Sequence, residues 1–183
     1  REEYAGKFLV GGLGKLSVKK NWQMLVRTAG RVREKGLDVR WVIVGDGRER
    51  ASLEELARRE GVGDIVSFTG FREDGRRVLK SLDLLFFPSK MEGASVTVRE
   101  AMFLGVPVVA VNAPGTMESL SGHGWGVDDG DIAGACDAVV EALTDSAVRA
   151  KKTHGARELA LKKYNIGNTI KLTIEAYRKV LGR

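Results

Sequence analysis

Short, almost uninterrupted apolar runs alternate with amphipathic helical patterns along most of this chain, and glycine or proline marks nearly every change. Residues 7–13 (KFLVGGL) read as a strand ending in glycines. Residues 20–35 place Trp22, Leu25, Val26, Ala29 and Val32 at helical spacing, and Gly36 stops them. The compact β-branched run 39–44 (VRWVIV) predicts a second strand, closed by Gly45-Asp46-Gly47. Leu53, Leu56 and Ala57 give the next helix its apolar face, ended by Gly61. Strands are then predicted at 65–69, 84–87 (stopped by Pro88), 106–111 and, short, at 125–127. Helices are predicted near 75–82 and over 97–104, the latter stopped by Gly105. Three further helices follow: 131–143, with Ile132, Cys136, Val139, Val140 and Leu143 on one face; a basic one over roughly 147–163; and a last one striped with Ile166, Ile170, Ile174, Tyr177 and Leu181.

Strands alternating with helices imply parallel pairing through right-handed crossovers. Near-continuous apolar strands suit a sheet covered on both faces. The expectation is a Rossmann-like, doubly wound α/β domain of about six strands. It fills residues 1–183 as one domain, with a helical C-terminal extension from about residue 145. Ligands of such sheets bind where strand carboxyl ends open into helix N-termini.

Composition narrows the class further. With 43% hydrophobic and 30% charged residues, disorder is excluded. A single cysteine, Cys136, excludes an internal disulfide and a Cys-rich zinc site, and fits a reducing cytoplasm. No apolar run is long enough to cross a bilayer, and the first residues lack the pattern of a secretory signal. The net charge of +6 is uneven: residues 148–183 hold 10 basic and 2 acidic residues, so the remainder is slightly acidic. A basic helical arm reads either as a solvated face or as a patch for an acidic partner or an anionic membrane surface. It lacks the interleaved aromatics of a nucleic-acid platform.

The loop after the first strand runs from Gly11 through Gly12, Gly14 and Lys15 to Lys19 and Lys20. Glycines, lysines and a helix N-terminus suit a phosphate; glycine turns that merely reverse the chain give the same pattern. Neither a Walker loop nor a complete dinucleotide fingerprint is present. The loop after the fourth strand, residues 88–102, carries Glu92 and Glu100 around a turn of small residues. Free amides at the following helix N-terminus suit an anion, and a nearby carboxylate suits vicinal hydroxyls. Thr97-x-x-Glu100 is equally a capping box, as are Ser52-x-x-Glu55 and Ser89-x-x-Glu92. Asp129-Gly130-Asp131 reads as a helix N-terminus rather than as a metal motif.

The string FFPSKMEGASVTVREAMFLGVPVVA, with VGGL, KKNWQMLVRTA, VRWVIVGDG, IVSFTGF, APGTMESL and GWGV in order around it, resembles the C-terminal donor-binding domain of retaining GT-B glycosyltransferases of family 4, the glycosyl transferases group 1. The resemblance implies transfer of a hexose from a UDP-, GDP- or ADP-linked sugar, without a cofactor or metal. It matches Lys20 to a lysine on the donor's diphosphate and Glu92 to the glutamate beside the transferred sugar, these two being the catalytic positions. Gly93, Ala94, Ser95 and Val96 match the backbone turn at sugar and phosphate, and Glu100 the carboxylate on the ribose. Thr69, Gly70 and Phe71 match the loop at the base, and residues 114–118 a loop bordering the pocket. It matches the final helix to one that braces a second domain.

The resemblance implies an arginine where this chain has Gly12, leaving Lys15 or Lys19 to supply the charge. The acceptor site of such enzymes lies on an N-terminal domain for which this chain has no room. The expectation is therefore a donor half that binds nucleotide and transfers sugar negligibly alone. The rival readings are a nicotinamide-dependent oxidoreductase, based on Gly12-x-Gly14 and Asp46, and a non-catalytic nucleotide-binding or interaction module.

Overall fold

A computed structural model describes residues 6–181, apart from the side chains of Ile166, Thr169 and Leu172. Six parallel strands form one sheet: β1 (Phe8–Leu13), β2 (Val39–Val44), β3 (Val66–Gly70), β4 (Leu84–Phe87), β5 (Val108–Val111) and β6 (Trp125–Val127), in the order β3-β2-β1-β4-β5-β6. This is the Rossmann-like doubly wound architecture that the alternation implies. Strand order reverses between β1 and β4, whose paired registers include Val10 with Leu84 and Gly11 with Leu85. A crevice therefore opens at the carboxyl ends of these two strands.

Alternation with period two divides each strand between two cores. Val10, Trp41, Ile43, Leu84, Phe86, Val109 and Val111 face one cluster, shared with α1 (Trp22–Glu34), α2 (Arg50–Arg59) and α6 (Ile132–Thr144). Leu9, Leu85, Phe87, Val108 and Ala110 face the other, shared with α3 (Gly75–Ser81), α4 (Val96–Leu104), α5 (Thr116–Leu120) and α7 (Ser146–Lys163). Small residues let helices close in: Ala156 and Ala160 of α7 are buried against the side that α4 covers. Trp41 meets Phe86 edge-on, with ring centroids 6.0 Å apart. Cys136 is buried in the first core, and burial raises its thiol pKa.

α8 (Ile166–Leu181) closes the described chain. Ile170, Ile174, Tyr177 and Leu181 of its expected stripe are exposed, while the side chain of Ile166 lies outside the described ones. Among the described residues, no helix is long and apolar enough to cross a membrane.

Most boundaries follow the sequence. β2, β4 and β6 match their predicted spans. β5 starts two residues later than expected, because the Val106 amide bonds the Ala101 carbonyl and completes the end of α4. There Gly105 adopts φ 69, the left-handed conformation of a helix C-cap. The short α5 has no counterpart among the predicted elements.

Candidate active site

The crevice between β1 and β4 brings together residues far apart in sequence. After β1 the chain forms a 3-10 turn, Val18–Lys20, ended by Asn21 at φ 52. This turn aims Lys20 across the crevice. Its Nζ lies 2.5 Å from Glu92 Oε1 and 5.1 Å from the Phe87 ring centroid. The Ser89 hydroxyl donates to the same carboxylate oxygen at 2.6 Å. The two connections are laced further by the Lys90 amide, which donates to the Lys19 carbonyl at 3.1 Å. The ion pair is mostly withdrawn from solvent, the side chains being 25% and 16% exposed.

The turn after Glu92 leads into α4. Ser95 is the N-cap, and its hydroxyl accepts from the Val98 amide at 3.3 Å. α4 therefore starts ahead of the expected Thr97, and Thr97-x-x-Glu100 is not its capping box. Backbone amides from Gly93 to Thr97 are not taken up by other described residues. Gly93, Ala94 and Val96 are exposed, so these amides border open solvent beside Lys20. A helix N-terminus with spare amides and a neighbouring ammonium is suited to a polyanion.

The loop ahead of α5 supports the turn from behind. Gly115 has φ 78 and ψ −35, and a Cβ there would stand 2.4 Å from the Gly93 carbonyl oxygen and 2.5 Å from that of Glu92. The Ser119 hydroxyl donates to the Gly115 carbonyl at 2.6 Å, and the Tyr164 hydroxyl donates to the Ser119 carbonyl at 3.3 Å. Asp129 closes the other side, accepting from Asn21 Nδ2 at 3.0 Å and pairing with Lys90 at 2.8 Å. Its neighbour Asp131 caps α6, accepting from the Gly134 amide at 2.9 Å. Among the described residues, no cluster of His, Cys, Asp and Glu could hold a metal.

Glu100 lies in the second turn of α4, where Arg76 Nε donates to its Oε1 at 2.7 Å. Thr69, Gly70 and Phe71 stand at the end of edge strand β3, on the same rim of the sheet, with Phe71 77% exposed. The two remaining candidates stand on β1 and the loop after it. Gly12 is buried within β1, where a Cβ would sit 2.2 Å from a ring carbon of Trp22. Lys15 is exposed, and only its carbonyl is engaged, by Trp22 Nε1 at 3.0 Å.

The other glycines of these loops serve loop-on-loop contact. A Cβ at Gly45 would lie 2.0 Å from the Gly14 carbonyl oxygen, and one at Gly47 would lie 2.2 Å from that of Leu16. The Gly14 and Leu16 amides donate to Val44 and Asp46, extending the β1–β2 pairing past the strands. Asp46 Oδ1 accepts from the Gly47 amide at 2.7 Å.

A cavity of about 110 Å³ adjoins the crevice, lined partly by Ser17, Asn21, Gln23, Glu49 and Lys90. A larger one of about 530 Å³ lies against the later turns of α1, which return to the opposite edge of the sheet. Its three arginines close on acids, Arg27 on Glu60 at 3.7 Å, Arg31 on Glu34 at 2.9 Å and Arg33 on Asp64 at 2.6 Å. That cavity offers no counterpart to the Lys20 cluster.

The model of the family described as "Glycosyl transferases group 1" matches residues 7–145. The chain is 27% identical over 179 residues to a 2-deoxystreptamine glucosyltransferase of Streptomyces kanamyceticus, covering 96% of the chain and 46% of the relative. It is 29% identical over 185 residues to a 2-deoxystreptamine N-acetyl-D-glucosaminyltransferase of Streptomyces fradiae, covering 98% and 44%. Anabaena HepE, solved in complex with UDP and glucose, superposes with a TM-score of 0.86 at 25% identity, over 96% of this chain and 50% of that one. The C-terminal domain of a group 1 glycosyl transferase, LpcC of Francisella tularensis, superposes with a TM-score of 0.78 at 24% identity over 90% of each chain. The chain spans about half the length of the curated relatives it matches.

Proposed function

Because the chain belongs to the glycosyl transferases group 1 family, we propose that its carboxyl-edge loops hold a nucleoside diphosphate sugar and form the donor half of a hexosyltransferase. The observation that carries this reading is the Lys20–Glu92 pair across the β1–β4 crevice, set beside the spare amides of residues 93–97. The donor's diphosphate lies on Lys20 and on the α4 N-terminus. The sugar lies by Glu92 and the turn of Gly93, Ala94, Ser95 and Val96. The ribose lies at Glu100, and the base reaches Thr69, Gly70 and Phe71.

As the glycosidic bond of the donor breaks, negative charge grows on the departing diphosphate. A fixed ammonium and oriented amides stabilise that charge more than they stabilise the intact donor, which lowers the barrier. Lys20 neutralises this charge with no call on a metal ion. Glu92 gives up part of its contact with Lys20 and accepts from sugar hydroxyls. Transfer with retention rests on the family resemblance. The acceptor and the opposing wall of the cleft come from a second domain, so the 183-residue chain alone binds donor and transfers little. The relatives, about twice as long, support this division, and the UDP and glucose complex of HepE makes UDP the first nucleotide to try.

Calorimetry with UDP, GDP and ADP tests the proposal; binding of none of them overturns it. Glu100→Ala should lower affinity by about 1.5–3 kcal/mol, the worth of a charge-assisted hydrogen bond. Lys20→Ala should weaken a diphosphate more than the matching nucleoside. An intact response in both variants removes the assignment. The basic helices α7 and α8 are proposed to touch anionic lipid. Flotation with anionic vesicles, with and without residues 148–183, tests that contact, and equal flotation refutes it.

A further inference from the structure

Glu100 does not stand alone at the place proposed for the ribose. Its partner, Arg76, comes from α3, 24 residues earlier, and its side chain is 81% exposed against 27% for Glu100. A pair so open to solvent adds little to folding. Arg76 is also the second residue of α3, where the helix dipole disfavours a cation, and Arg77 follows it. Asp74, the N-cap, makes no side-chain cap, because Arg72 holds its two oxygens at 2.8 and 2.7 Å. A local rule is thus broken with no return in stability, a mark of positions kept for function.

We infer that Arg76 is a positioning residue for the ribose of the donor, holding the Glu100 carboxylate in the orientation that accepts the sugar diol. This rests on the proposed role of Glu100. A carboxylate offers about four acceptor sites. Arg76 Nε occupies one on Oε1, leaving Oε2 and the remaining lone pairs for two vicinal hydroxyls. Without the arginine, Glu100 samples other rotamers and must be ordered as the nucleotide binds. A general attraction of the cation for the diphosphate would instead favour every nucleotide, whatever its sugar.

Calorimetric titration of the 183-residue chain with UDP and with 2′-deoxy-UDP separates the two. The unmodified chain should prefer UDP. Arg76→Ala should lower UDP affinity about threefold to fivefold, the scale of one exposed charge pair. It should leave 2′-deoxy-UDP within about twofold and the melting temperature unchanged. Arg76→Lys, which keeps the charge and part of the reach, should restore part of the preference. Equal losses for the two nucleotides, or no loss for either, overturn the inference. Glu100→Ala serves as the reference. If it abolishes the preference while Arg76→Ala leaves the preference undiminished, only the role of Arg76 fails. If Glu100→Ala leaves the preference intact, or the unmodified chain binds no UDP, the ribose assignment fails and takes this inference with it.

Discussion

Gly115 couples the α5 loop to the proposed donor turn, and replacing it with alanine measures that coupling. The added methyl meets two costs. The backbone at φ 78 and ψ −35 is one that L-residues rarely adopt, worth about 1–2 kcal/mol. The methyl would also stand 2.4 and 2.5 Å from the carbonyl oxygens of Gly93 and Glu92, which are backbone atoms and cannot rotate away. Overpacking of that kind adds about 1–3 kcal/mol. Gly122→Ala provides the control, because Gly122 also has positive φ, at +80, with nothing within 4 Å of the added methyl. For a chain of this size, each kcal/mol lowers the melting temperature by about 2–4 °C. The control should therefore melt a few degrees early, and Gly115→Ala about twice as far below the unmodified protein. In calorimetry with UDP, Gly115→Ala should also bind more weakly, because the clash falls on the carbonyls of Glu92 and Gly93 and displaces the turn proposed to hold the donor. The Gly122 variant should bind normally. Matching melting losses would mean that the two loops are not in contact. A Gly115 variant with full affinity would mean that the turn does not bind the nucleotide.

Other outcomes follow from the same contacts. Gly12→Arg introduces the arginine that the family resemblance leads one to expect, yet the Trp22 ring already fills the space beyond Gly12. It should cost about 1–3 kcal/mol or more in thermal unfolding, and a gain in nucleotide affinity without that cost would refute the packing account. Burial raises the pKa of Cys136, so it should resist a thiol-specific disulfide reagent at pH 8 until the protein unfolds; fast labelling of the folded chain would contradict this. Arg33 Nη2, donating to both carboxylate oxygens, holds Asp64 below the usual aspartate range. A depressed carboxylate stabilises the fold above its unfolded pKa and loses that contribution as pH falls through the folded one. Because the pair is exposed, Asp64→Asn should cost less than about 1 kcal/mol at pH 7, and nothing in strong acid. A cost that persists there would point to something other than the ion pair.

Local sequence was enough for the elements whose signal is local. VRWVIV is apolar but for Arg40, LLFF is apolar throughout, both are sharply bounded, and β2 and β4 occupy those residues. Thr116–Leu120 is too short for a helical period to show, so α5 had no signal of its own. The three Ser/Thr-x-x-Glu patterns mislead for a physical reason: capping depends on where the chain enters the helix. Ser52 lies inside α2 and its hydroxyl donates to the Glu49 carbonyl. Ser89 meets Glu92 outside any helix. Thr97 lies inside α4 because Ser95 caps it. The glycine loops were ambiguous because close approach to a phosphate and close approach to another loop demand the same residue. Gly45 and Gly47 turned out to meet backbone, whereas a Cβ at Gly14 would meet the side chains of Trp22 and Lys20 at ordinary contact distance.

The candidate site itself is a product of topology. Lys20 and Glu92 are 72 residues apart, and only the family resemblance, not any local spacing, sets them together in the sequence. Strand order makes them neighbours: β1 passes to β2 on one side, and the chain returns to place β4 on the other. Every connection that follows a strand then opens on one rim, and the two that flank the reversal diverge from each other. That divergence leaves a gap in which a lysine, a carboxylate and a helix N-terminus can converge without clashing. The same reasoning explains why Arg76 carries no sequence signal. It reaches Glu100 only because α3 and α4 both begin at this rim, on either side of the crevice. Polar pairs that bridge two strand-end loops at this rim, as Arg76 and Glu100 do, are therefore where specificity should be sought first.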